Sequence, residues 1–227
     1  MPRHARMKSL GAQATPARRD HTPHGGHHEL GTIRQELTFH IGSPSLLREY
    51  VNPHCGGPVM DVEPELATMR TAVAEFAVAA EAQQDRWHVP RAPGKWSASQ
   101  VAEHVARAID ESANEVAGRP TKFPRFPFFL KPVVRALLLE RTLRRGVFPR
   151  TRTGRAFNPA AGPETVAKAR LRLEQALGRF EDACRVRAQG HTDVTSVIFG
   201  VVPLLSYIRF QQLHTRHHQK QLPPGSV

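Results

Sequence analysis

Apolar residues recur at steps of three and four through four stretches of the chain, with polar residues between them. In the first stretch, residues 62–86, Leu66, Met69, Val73, Phe76 and Ala80 follow that spacing against a background rich in Ala and Glu, which predicts an amphipathic helix. Pro90, Pro93 and Gly94 break it. The second stretch begins at Ser97, and Gln100 three positions later completes the form of a capping box, in which side chains satisfy the free amides of a helix start. Val101, Val105, Ala108, Ile109, Ser112 and Val116 share one face of this helix, and Gly118 and Pro120 stop it. Pro163 and Glu164 open a third helix that runs to about Arg187, with Val166, Ala169, Leu173, Leu177, Phe180 and Cys184 as its stripe. The last helix lies between Pro203 and Pro223.

Residues 188–203 read as a loop, and the chain shows neither an alternating strand pattern nor an internal repeat. Four main helices joined by loops, one of them long, predict an all-α fold: an antiparallel four-helix bundle with a long basic crossover. Residues 1–59 are rich in Gly, Pro, His, Arg and Ser and show no sustained period, so they read as a poorly ordered tail. The expected organisation is this tail, a helical domain over residues 60–222, and a short C-terminal tail over residues 223–227.

A length of 227 residues suits one such domain plus a tail, and 40% apolar content suffices for its core. No apolar run approaches the roughly 18–20 residues of a membrane span. The N-terminus is basic but is followed by no apolar segment, which argues against a secretory signal and for a cytoplasmic location. Two cysteines, Cys55 and Cys184, without a paired motif, point away from a disulfide framework.

The net charge of +12 changes the picture through its location. From Arg119 to Arg155 there are eleven basic residues against one acid, Glu140, and a short helix is predicted over residues 133–146. One reading is a solvated crossover whose aromatics pack on the bundle or lid a pocket. A second is a binder of anionic surfaces, because Phe and Arg alternate there. No nucleic-acid motif is present, so nucleic acid is not an expected partner, and Pro124, Pro127 and Pro132 interrupt any single interfacial helix. A third use is arginines that bind an acidic substrate or the carboxylates of a thiol cofactor.

Candidate chemistry concentrates on the last helix. An advance of 100° per residue places Tyr207, Gln211, His214 and His218 within an arc of roughly 60°. Two imidazoles one turn apart on one face suit a shared metal ion. His104 is the natural third ligand, since it occupies the inward face or border of the second helix, whereas His88, His191 and His217 are less well placed. The alternatives are that HTRHH is a solvated basic face and that His104 is a core histidine with a satisfied hydrogen bond. Gln100, Tyr207, Gln211 and Gln221 are candidates to orient an imidazole or a bound ligand, or are ordinary polar residues on bundle helices. Trp96 reads as a packing residue, and Glu103 is rotated about 100° from His104, too far for an obvious general base.

The stretch Trp96-Ser97-Ala98-Ser99-Gln100 through His104 resembles the WSxxQxxxH signature of the DinB-like superfamily. FGVVPLLSYIRFQQLHTRHHQKQL is similar to that superfamily's last helix, where HxxxHH and a glutamine three residues on recur. The resemblance spans most of residues 90–222 and is strongest to an uncharacterised branch, whose P-x-F-G loop is approximated here by Ile198–Pro203. It implies a four-helix bundle with a long crossover and a divalent metal, zinc foremost and nickel or iron as alternatives, held by His104, His214 and His218. Three neutral nitrogen ligands leave a position open, as in catalytic sites. The superfamily includes transferases and isomerases dependent on low-molecular-weight thiols, and amide hydrolases. The resemblance thus implies a thiol or small electrophilic substrate as partner, with a homodimer as a family-level expectation. The rival expectation is a bundle that holds metal without catalysis, for stability, sensing or a stress response.

Overall fold

A computed structural model of the chain describes residues 60–149 and 157–222. The tails expected over residues 1–59 and 223–227 lie outside the described residues. The described part is mostly helical, with one small antiparallel sheet.

Helix α1 spans Glu63–Glu81 and buries Leu66, Met69, Val73, Phe76 and Ala80, the residues that its spacing selects. It is shorter than the predicted stretch. Residues Gln84–Arg86 form a separate 3₁₀ turn, and the chain then folds back so that Trp87 is buried and donates from Nε1 to the Pro163 carbonyl at 2.8 Å. Helix α2, Ala98–Val116, starts with the anticipated box: Ser97 accepts from the Gln100 amide, and the Gln100 carboxamide accepts from the Ser97 amide. Its end turns through Gly118, whose φ of +70° is the left-handed conformation that glycine adopts freely.

The crossover contains α3, Lys131–Val134, then a π-helical stretch, Arg135–Glu140, then α4, Arg141–Arg145. The helical run thus begins two residues before the predicted one and carries a widened turn in its middle. Helix α5, Val166–Ala188, begins at Val166 rather than at Pro163, because Thr165 caps it by accepting from the Lys168 amide at 3.2 Å.

The segment read as a loop holds a hairpin. Strands β1, Asp193–Ser196, and β2, Gly200–Pro203, pair antiparallel, with Val194 opposite Val202 and Ser196 opposite Gly200. Four residues per strand are too few for alternation to show in the sequence, yet Val194 and Val202 are both fully buried. Gly200, at φ +76°, closes the turn. Helix α6, Leu204–Gln219, follows at once.

Helix α2 packs chiefly along α5, and α1 chiefly along α6. Helix α2 is buried almost all round, including three acids with fixed partners. Asp110 pairs with Arg172 and Arg179. The Glu111 carboxylate accepts from the Lys122 amide at 2.8 Å and holds the start of the crossover. Glu115 accepts from the Val197 amide at 2.7 Å and from the Tyr207 hydroxyl at 2.6 Å, which joins α2 to the hairpin and α6. Carboxylates buried with this many donors lock the relative placement of α2 and α6, the two helices that carry the histidines.

Candidate metal centre

His104 stands two turns into α2, and His214 and His218 occupy successive turns of α6. Among the described residues these three form a group whose ligand nitrogens all lie within 4.8 Å of one another. Ring centroids are 4.5 Å apart for His104 and His218, 4.5 Å for His214 and His218, and 5.4 Å for His104 and His214. His104 and His218 are buried, and His214 is partly so.

Two of the three tautomers follow from hydrogen bonds. His104 Nδ1 lies 2.9 Å from the Phe157 carbonyl, which only accepts, so Nδ1 carries the proton and Nε2 presents a lone pair. His218 Nδ1 lies 3.1 Å from the Gln221 carboxamide oxygen, which leaves its Nε2 bare as well. That Nε2 sits 3.1 Å from Nε2 of His214. Two metal–nitrogen bonds of about 2.0–2.1 Å at a tetrahedral angle put the nitrogens roughly 3.3 Å apart, so the pair has the separation of two ligands on one ion. The His104 and His218 lone pairs face the same point as His214 Nε2, and such a convergence of nitrogens fits a cation.

Loss of water contact is the main cause holding all three imidazoles neutral. Burial lowers the His104 pKa, and desolvation lowers that of His214 well below the ordinary value, helped by the neighbouring His218 and His104. His218 falls to about 3, through burial first and then the nearby charges of His104 and His217. Neutral imidazole is the form that ligates.

A short strap fixes this end of α2. The Phe157 carbonyl takes His104, the Asn158 carboxamide takes Trp96 Nε1 at 3.0 Å, and the Pro159 carbonyl takes the Gln100 carboxamide at 3.1 Å. The Pro163 carbonyl accepts from the Ser99 hydroxyl at 3.0 Å. Gly162 lies so close to α2 that a Cβ there would stand 2.1 Å from the Ser99 carbonyl oxygen, which explains glycine at this position.

The candidate second-sphere residues divide. Gln221 reaches two histidines, since its oxygen meets His218 and its nitrogen lies 3.0 Å from His217 Nε2. Gln211 is buried and lines the cavity beside the histidines. The Gln100 side chain hydrogen-bonds to Ser97 in the cap and to the Pro159 carbonyl in the strap. The Tyr207 ring lines the same cavity, but its hydroxyl donates to Glu115. Glu103, rotated away as expected, pairs with Arg107 one turn on.

The cluster opens into a cavity of about 610 Å³. Aromatic rings dominate its wall: Trp96, Phe123, Phe148, Phe157, Phe199 and Phe210. Trp96, expected as a packing residue, packs on His104 and also lines the cavity, whereas nothing in the periodicity singles out Phe123, Phe148, Phe157 or Phe210 for this wall. Phe148 packs on His214 with centroids 5.1 Å apart, and Trp96 on His104 at 4.9 Å. Arg91 and Lys95 also line it, and no Asp or Glu does among the described residues. Cys184 does not line the cavity, and burial pushes its thiol strongly up, which keeps it protonated.

No helix among the described residues is long and apolar enough to cross a membrane. No curated protein and no solved structure matches the chain. One family, described as a protein of unknown function (DUF1569), matches residues 66–225. That match covers well over half of the chain, which therefore belongs to this DUF1569 family.

Proposed function

We propose that residues 60–222 form a DinB-like four-helix bundle domain whose His104, His214 and His218 hold one divalent ion, zinc before nickel or iron, for use in thiol transfer or hydrolysis. The observation that carries this reading is the convergence of three neutral imidazoles, two with their N–H bonds fixed on the far side by the Phe157 carbonyl and Gln221, at the wall of an aromatic cavity. The pairing of α2 with α5 and of α1 with α6 supports the bundle reading.

A divalent ion in that position supplies positive charge that lowers the pKa of a thiol or water in contact with it. The chain's own residues supply the rest. His104 and His218 are held in their tautomers, so no rotation is needed before they ligate. The aromatic wall excludes water and accepts an apolar or aromatic electrophile, while Arg91 and Lys95 favour an anionic group on the substrate or thiol. Among the described residues no carboxylate lines the cavity, which favours a nucleophile that ionises under the influence of the ion over one deprotonated by an acidic side chain. The non-catalytic alternative, metal for stability alone, requires no such cavity, since structural sites are closed by a fourth protein ligand.

Cobalt-substituted protein tests the open position. Addition of a small thiol is expected to shift the visible bands of the bound ion and add a thiolate charge-transfer band. Bands that stay fixed through millimolar thiol and through a panel of small anions would favour the closed, non-catalytic reading.

A further inference from the structure

The crossover between α2 and α5 has two sides. On one, Leu139 and Thr142 are buried and Leu138 and Leu143 pack on the core, so the segment is anchored. On the other, Phe128 and Phe129 are 84% and 63% exposed, and Leu130, Val133 and Leu137 continue from them at steps of three and four as an apolar stripe open to water. Arg141 and Arg144 extend the same line by further steps of four and three, beside Arg145, and Arg125 lies at the other end; all four are exposed. Among the described residues none of these four arginines makes an ion pair with an acid. Glu140, the sole acid from Arg119 to Phe148, is taken by Arg135.

We infer that this face docks on an anionic lipid surface, with Phe128, Phe129, Leu130, Val133 and Leu137 entering the boundary between headgroups and acyl chains and the four arginines meeting headgroup phosphates. Charge and shape together select this occupant. A second copy of the chain would bring the same uncompensated cations against this patch. Residues 1–59 carry seven basic residues against four acidic ones and so offer no complementary charge. A nucleic-acid backbone would answer the arginines but leave the aliphatic Leu130, Val133 and Leu137 in water, since bases stack on aromatic faces and not on branched chains. A bilayer answers both halves. The inference uses no histidine and stands apart from the metal reading.

Sedimentation of the full chain with vesicles tests it, using phosphatidylglycerol mixed into phosphatidylcholine beside phosphatidylcholine alone, each at low and high salt. The protein is expected to pellet with the anionic vesicles only, less so at high salt. Two variants, Phe128→Ser with Phe129→Ser and Leu137→Ser, and Arg141→Glu with Arg144→Glu, should each weaken binding by more than about tenfold while circular dichroism stays unchanged. Absence of pelleting with anionic vesicles overturns the proposal. So does wild-type binding by both variants, which would move the contact elsewhere in the chain. A drop in oligomeric mass with the apolar variant, without loss of vesicle binding, would assign the stripe to a second copy instead.

Discussion

The histidine cluster at α2 and α6 and the crossover that leaves α2 treat ionisable side chains in opposite ways. At the cluster, three titratable rings are kept neutral by desolvation, and two of them, His104 and His218, are fixed by hydrogen bonds to a carbonyl and a carboxamide. At the crossover, Arg125, Arg141, Arg144 and Arg145 are exposed and, among the described residues, form no ion pair with an acid, and exposed apolar side chains accompany them. Desolvation removes charge and leaves lone pairs that suit a cation, whereas exposure preserves charge that suits an anion. A chain of strongly basic composition thus holds both a neutral histidine cluster and an exposed cationic face.

The contrast is broken most strongly at the strap. Gly162→Ala places a Cβ against the Ser99 carbonyl, so the strap must move off α2. We expect a loss of about 1–3 kcal/mol in chemical denaturation, together with weaker metal binding because the Phe157 carbonyl no longer fixes His104. Next in size is Gln221→Ala, which frees the His218 ring. Metal affinity measured by competition with a chelating dye should fall about 10–100-fold, with helicity unchanged.

Acid should expose the difference between the two regions in metal-free protein. The unfolded chain takes up protons on these histidines near the ordinary value of 6.5, while folded His218 resists until about 3 and His104 and His214 are also lowered. Below pH 6.5 the unfolded state therefore binds more protons, and stability falls as pH drops from about 6.5 towards 3. Melting temperature after chelator treatment, compared at pH 7.5 and pH 5, reads this loss, and His218→Gln should flatten it. Smallest is the effect of Phe128→Ser, which removes a ring that packs on little and should change stability by less than about 0.5 kcal/mol in the same denaturation assay.

Much of this arrangement was legible in the residues, for physical reasons that also mark where legibility ended. Helical periodicity depends on neighbours within one element, so the buried stripes of α1, α2 and α5 and the shared face of His214 and His218 could be read locally. The capping box at Ser97 and Gln100 is likewise a contact of three residues' span. The Phe157 carbonyl that orients His104 lies 53 positions away, and a backbone carbonyl carries no residue identity to search for. Gln100 was a candidate to orient an imidazole because it lies one turn before His104, but its carboxamide turns to the strap. The Tyr207 ring lies on the expected face, yet the buried Glu115 claims its hydroxyl. The hairpin stayed hidden because each strand is four residues long. The basic crossover was read as one segment, whereas its aromatics divide between the cavity wall at Phe123 and Phe148 and the exposed face at Phe128 and Phe129.

Three nitrogens that meet around one ion should carry metal through purification, and metal content tests this most directly. Protein purified without affinity-tag histidines and analysed by plasma mass spectrometry should hold about one equivalent of a divalent metal. His104→Ala and His218→Ala should each lose most of that metal while retaining wild-type helicity. Metal content unchanged in both variants would contradict the account.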